Sequence, residues 1–95
     1  MQYKLRLADD LVDFIRGTHP ELKRKIKSAL KYILSDPYSG KSLREELQGL
    51  SSYRVGRFRI IYRIAENHII EIVAIGPRRI IYELTYRIVS REGKK

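Results

Sequence analysis

Residues 53–64, YRVGRFRIIYRI, constrain the fold more than any other stretch of the chain. With a two-residue period from Phe58 onward, Phe58, Ile60, Tyr62 and Ile64 fall on one side, and Arg57, Arg59, Ile61 and Arg63 on the other. The pattern predicts a strand with a core face and a cationic face. Gly56 supplies a tight turn or bulge after a strand begun by Tyr53–Val55, so the segment reads as a hairpin. After a turn at Glu66-Asn67, His68–Ile75 (HIIEIVAI) is apolar on both faces apart from His68 and Glu71, as an interior strand requires.

The remaining elements arrange themselves around this hairpin. Residues 2–7 alternate Tyr3, Leu5 and Leu7 against Lys4 and Arg6, a half-buried strand. A helix follows, with Asp9 or Asp10 as its cap, Leu11, Phe14 and Ile15 as its apolar stripe and Gly17 as its stop. Thr18 and Glu21 have the spacing of a capping box, with Pro20 in the first turn of a second helix. Leu22, Ile26, Ala29, Leu30 and Ile33 recur every three or four residues along it, and its lysines read as solvated surface. SDPYSGKS breaks that helix, and LREELQGL is a helical turn or an irregular approach to the hairpin. Gly40-Lys41-Ser42 has the ending of a phosphate-binding loop, but Ser35 stands where its first glycine belongs and no βαβ unit surrounds it. Pro77 suits the first turn of a last helix running to about Val89, with Ile80/Ile81, Leu84 and Ile88 inward, before a frayed basic tail at 91–95. The expected fold is α+β, β-α-α-β-β-β-α. In it two helices cover one face of a small antiparallel-rich sheet, arginines occupy the other, and a helix closes the chain.

Ninety-five residues make a single domain, residues 1–95, because a chain of this size buries only about 60–65% of its unfolded surface. The absence of cysteine excludes disulfides and thiol chemistry, and two histidines, His19 and His68, do not make a metal site. No apolar run spans a bilayer and no signal-peptide pattern is present, so a cytoplasmic protein with no membrane, metal or cofactor is expected. Twenty Lys and Arg against eleven Asp and Glu give a net charge of +9, which points to a polyanionic partner: RNA, DNA or an acidic protein.

Three segments in order, LQGLSSYRV, FRIIY and IGPRRIIYE, resemble the RelE/ParE superfamily of type II toxins over nearly the whole chain. The resemblance implies a cognate antitoxin as partner and, in the RelE branch, a metal-free endonuclease that cleaves mRNA on the ribosome while contacting rRNA. The ribose 2′-hydroxyl would attack the adjacent phosphate and expel the 5′-oxygen. That reaction needs a base, cations around a phosphorane and a proton for the leaving group. Arg59 matches the family's phosphate-stabilising arginine and Arg78 the arginine thought to act near the leaving group. Tyr82 matches the helix tyrosine that stacks on a base or joins the proton transfers, with Tyr86 one turn further on as its rival. Arg54, where relatives often carry lysine, Arg57 and Arg79 are expected to bind RNA. Gly56 stands where some relatives have a further inward-facing basic residue, which leaves the base unassigned.

His68, Glu45 and Glu46 are candidates for that base by residue type, against a turn role for the histidine and a solvated helix for the glutamates. Arg63 is expected as an edge or surface charge, Tyr62 as packing, and Arg79 as an i,i+4 partner of Glu83. A ParE-like inhibitor of DNA gyrase, and a degenerate toxin homologue that only binds RNA or its antitoxin, are the alternative functions.

Overall fold

The computed structural model describes residues 2–92. Its elements are β1 (Lys4–Leu7), α1 (Asp9–Gly17), α2 (Pro20–Ser35), β2 (Lys41–Ser42), β3 (Ser51–Val55), β4 (Phe58–Ala65), β5 (Ile69–Pro77) and α3 (Ile81–Glu92). The five strands form one sheet in the order β1-β5-β4-β3-β2. β1 lies parallel to β5 and the other neighbours are antiparallel. The expected α+β order therefore holds, with one addition. The two-residue strand β2, pairing Lys41 with Ser52 and Ser42 with Ser51, is too short for any periodicity to reveal. Among the described residues no helix is long and apolar enough to cross a membrane.

Helices α1 and α2 cover one sheet face. Ile15, Ile26, Ala29, Leu30 and Ile33 pack there against Val55, Ile60, Tyr62, Ile70, Ile72 and Ile75. The alternation in β4 is observed, but its second face is more than a cationic surface. Ile61 is fully buried with Leu50, Ala74 and Ile81 in a second core beneath α3. A bulge in β5 feeds this core. Ile61 pairs with Ala74 but Tyr62 pairs with Ile72, so Val73 is the extra residue and packs with Ala74 on the α3 side.

Both predicted caps differ. Ala8 precedes α1 without a side-chain cap, and Asp10 inside the helix accepts the Leu11 N–H at 3.0 Å instead. His19, not Thr18, caps α2, its Nδ1 accepting the Glu21 N–H at 3.1 Å. Pro77 closes β5 and a turn at 78–80 precedes α3, which shifts the helix phase relative to expectation. Ile81 and Thr85 are buried and Ile88 is half-buried, whereas Ile80 and Leu84 are exposed. Thr85 tolerates burial because its hydroxyl donates to the Ile81 carbonyl at 2.7 Å. Residues 91 and 92 belong to α3 rather than to a frayed tail, and the last three residues of the expected tail lie outside the described residues.

Candidate active site

The α3 face is built by register. Arg59 on β4 stands between Arg54 on β3 and Gly76 on β5. Gly76 is buried, and a Cβ there would sit 3.2 Å from Ile81 Cδ1, so glycine lets the start of α3 approach the sheet closely. Arg78, just beyond β5, donates its N–H to the Arg57 carbonyl at 2.9 Å, which ties the β3–β4 turn to the end of β5. Tyr82 enters from the first turn of α3, its hydroxyl 3.4 Å from the Oγ of buried Ser52.

These elements enclose an open cleft of about 820 Å³ lined by Arg59, Arg78 and Tyr82, with Lys41, Ser42, Leu43 and Arg44 forming the opposite wall. A second groove of about 650 Å³ has an apolar floor of Phe58, Pro77 and Ile80 and a rim of Arg54, Arg57, Arg78 and Arg79. Arg78 belongs to both, so cationic side chains line one continuous path. The three expected catalytic residues thus meet in one cleft, and the three expected RNA-binding arginines meet in the groove beside it.

Among the described residues, no carboxylate forms an ion pair with Arg54, Arg57, Arg59, Arg78 or Arg79. Arg54 and Arg59 are direct cross-strand partners, a like-charge pairing that costs a few tenths to about 1 kcal/mol unless an anion offsets it. The expected Arg79–Glu83 pair does not form. Arg79 precedes the helix, and Glu83 instead pairs with Arg87 at 2.7 Å. Arg63 is no loose surface charge and no edge residue, since β4 is interior to the sheet. Its guanidinium donates to Glu71 at 2.5 Å and to both carboxylate oxygens of Glu92 at 3.0 and 3.1 Å, fastening the end of α3 to the sheet. These carboxylates push its pKa up.

Other candidates fall away from the cleft. His68 lies in the β4–β5 turn, edge-on to Tyr3 at 5.1 Å, at the far end of the nine-residue strand β5 and thus roughly 26 Å from Arg78 along the sheet. Glu45 and Glu46 are exposed in a 3₁₀ turn, Glu45–Leu47, and Tyr86 is exposed on α3; none of them lines the cleft. Among the described residues no three of His, Asp or Glu gather as a metal-ligand set. Tyr62 is packing, as expected, and also a latch, donating to the Pro37 carbonyl at 2.8 Å and accepting the Gly40 N–H at 3.0 Å. Burial pushes this phenol up from its ordinary value of 10.0. Sequence reasoning missed Lys41, Arg44 and Ser52 as site residues. The only sign of Lys41 was the Gly40-Lys41-Ser42 triplet, which lacks the context of a phosphate loop.

The chain matches the family model described as "ParE toxin of type II toxin-antitoxin system, parDE" over residues 2–82. Among solved structures it is similar to the RelBE2 toxin–antitoxin complex of Mycobacterium tuberculosis, at 27% identity and a TM-score of 0.70, over 82% of this chain and 100% of that one. It is also similar to a double arginine-to-alanine variant of the E. coli toxin RelE in the free state, at 17% identity and a TM-score of 0.74, over 96% and 98% of the two chains. An archaeal RelE–RelB complex from Pyrococcus horikoshii aligns at 19% identity and a TM-score of 0.66, over 82% and 97%. At those last two identities the likeness is one of fold. No curated protein matches the chain.

Proposed function

Since the chain belongs to the RelE/ParE superfamily of type II toxins, we propose that it is a ribosome-dependent mRNA endonuclease held in check by a cognate antitoxin. The observation that carries this reading is the meeting of Arg59, Arg78 and Tyr82, from three separate elements, in one cleft whose guanidiniums have no carboxylate partner among the described residues. A cluster of unpaired guanidiniums is suited to the phosphorane formed when a ribose 2′-hydroxyl attacks the adjacent phosphate, because each fork presents parallel N–H donors to phosphate oxygens. In this reading Arg59 stabilises the phosphorane, Arg78 acts near the departing 5′-oxygen, and Tyr82 stacks on a base or joins the proton transfers. Arg54, Arg57 and Arg79 hold the flanking strand, whose bases rest on Phe58 and Pro77 in the adjoining groove.

The similarity to toxin–antitoxin complexes supports an antitoxin partner, and the charge of +9 favours an acidic or amphipathic segment that covers the arginine face or displaces α3. A second reading, inhibition of DNA gyrase, is favoured by the ParE description of the matching family model. The two separate in a paired assay on the purified protein, with mRNA-programmed ribosomes in one arm and gyrase with relaxed DNA in the other. Cleaved mRNA bearing 5′-hydroxyl ends is expected. Gyrase arrest with intact mRNA would replace the endonuclease reading by the second one.

A further inference from the structure

The cleft contains an amine that the resemblance leaves without a role. Lys41 pairs with Ser52 across β2 and β3, so its side chain leaves the sheet on the face of Ser52. The Ser52 Oγ lies 3.4 Å from the Tyr82 hydroxyl, and two residues along the same face of β3 Arg54 stands opposite Arg59. Register therefore sets Lys41 beside the residues assigned to the scissile phosphate, and Lys41 lines the cleft with them. The residue before it is held rigidly, because the Gly40 N–H and the Pro37 carbonyl both bind the buried Tyr62 hydroxyl. Lys41 is exposed and forms no ion pair among the described residues.

Attack by a 2′-hydroxyl requires an acceptor for its proton. The ionisable side chains lining the cleft are Lys41, Arg44, Arg59, Arg78 and Tyr82. A guanidinium does not give up its proton in a protein, so the three arginines act as donors only. The Tyr82 hydroxyl lies against Ser52. Neutral lysine is a competent general base, so the amine is the acceptor the cleft offers. Resting on the endonuclease reading, we infer that Lys41 is the general base. Its neutral Nζ takes the 2′-hydroxyl proton, O2′ bonds to phosphorus, and the P–O5′ bond breaks with its electron pair leaving on the 5′-oxygen. That oxygen takes a proton from Tyr82, which regains one from the Lys41 ammonium through solvent. The products are a 2′,3′-cyclic phosphate and a 5′-hydroxyl, and no co-reactant is consumed.

The discriminating variant is Lys41→Arg, which keeps the charge and the capacity to hold phosphate but cannot accept a proton. Single-turnover cleavage on saturating ribosomes is measured from pH 6 to 9 for the parent, Lys41→Arg and Lys41→Ala, with ribosome affinity determined alongside. Both variants are expected to cleave about 10²–10³-fold more slowly, the scale of a lost general base. Lys41→Arg should bind ribosomes like the parent. Cleavage by Lys41→Arg within about threefold of the parent would overturn the inference and make Lys41 a phosphate contact, with the endonuclease reading intact. No cleavage by the parent would overturn the endonuclease reading itself.

Discussion

Arg59 and Arg63 leave the same face of β4, four residues apart, yet their surroundings separate their roles. Arg63 is bound to Glu71 and Glu92, whereas Arg59 faces an open cleft with no carboxylate partner among the described residues. Arg59→Ala or Arg78→Ala is expected to slow single-turnover mRNA cleavage about 10²–10³-fold, or roughly 3–4 kcal/mol, the scale of one lost electrostatic donor. Ribosome affinity should change far less, since many other basic residues share the phosphate contacts. Arg63→Ala should leave the chemical step within about threefold and lower folding stability by about 1–2 kcal/mol, because it frees the end of α3 and leaves Glu71 only its 3.5 Å contact with Arg6. Equal loss of rate in the Arg59 and Arg63 variants would mean a diffuse cationic surface and no site. Tyr62 is the second residue with a sharp signature. Tyr62→Phe leaves the Gly40 N–H and Pro37 carbonyl without their partner, at a cost of about 1–3 kcal/mol in urea unfolding. A phenol whose folded pKa is raised contributes stability that is complete below its unfolded value of 10.0 and lost as pH climbs through the folded value. The parent should therefore lose stability more steeply above pH 10 than Tyr62→Phe does.

Short elements set the cleft more than long ones. β2 comprises only Lys41 and Ser42, but it carries one wall of the cleft and is held through the loop before it. Gly40 in that loop is closely confined. A Cβ there would meet the Tyr62 hydroxyl at 2.5 Å and the Ser52 carbonyl oxygen at 3.1 Å. Gly40→Ala should displace the loop, destabilise the fold by about 1–3 kcal/mol and slow cleavage as the β2 wall shifts. Gly17→Ala, where nothing lies within 4 Å of the added carbon, is the control and should stay within about 0.5 kcal/mol of the parent in the same urea titration. Full stability in Gly40→Ala would show that the loop does not depend on the Tyr62 latch. The helices were read correctly as elements, but the phase of α3 was not. Apolar residues at 80, 81, 84 and 88 allow two inward stripes, and the turn at 78–80 together with contact between Ile81 and Gly76 selects the one containing Thr85.

At the scale of the molecule, the sheet separates two different surfaces. One side is closed by α1 and α2 over the main core, and the other is shared between α3 with its small core and the arginine path. With a net charge of +9 and that path unneutralised, association with an acidic antitoxin segment should be steered by charge. Raising salt from about 0.1 to 0.5 M, which shortens the screening length about twofold, should weaken the complex by about tenfold or more, mainly through a slower association rate. Surface plasmon resonance across a salt series checks this. A salt-independent association rate would assign recognition to the apolar residues of α3 and the groove floor instead.

The sequence alone was enough for the α+β order, the hairpin about Gly56, the interior character of β5 and the pairing of an arginine-bearing face with an apolar one. These follow from local periodicity, turn chemistry and composition, which are properties of neighbours along the chain. Arg59, Arg78 and Tyr82 were identifiable as candidates through the resemblance, and their convergence followed once the strands were paired. Tertiary structure decided the rest. It separated Arg63 from Arg59 by delivering Glu71 and Glu92 from distant elements, and it moved His68 to the far end of the sheet from the cleft. It also buried Ile61 under α3 and brought Lys41 to the cleft through a strand of two residues. Each of these depends on which side chains meet across the sheet. Cross-strand register and helix phase are set by packing between segments far apart in the chain, so local pattern does not encode them.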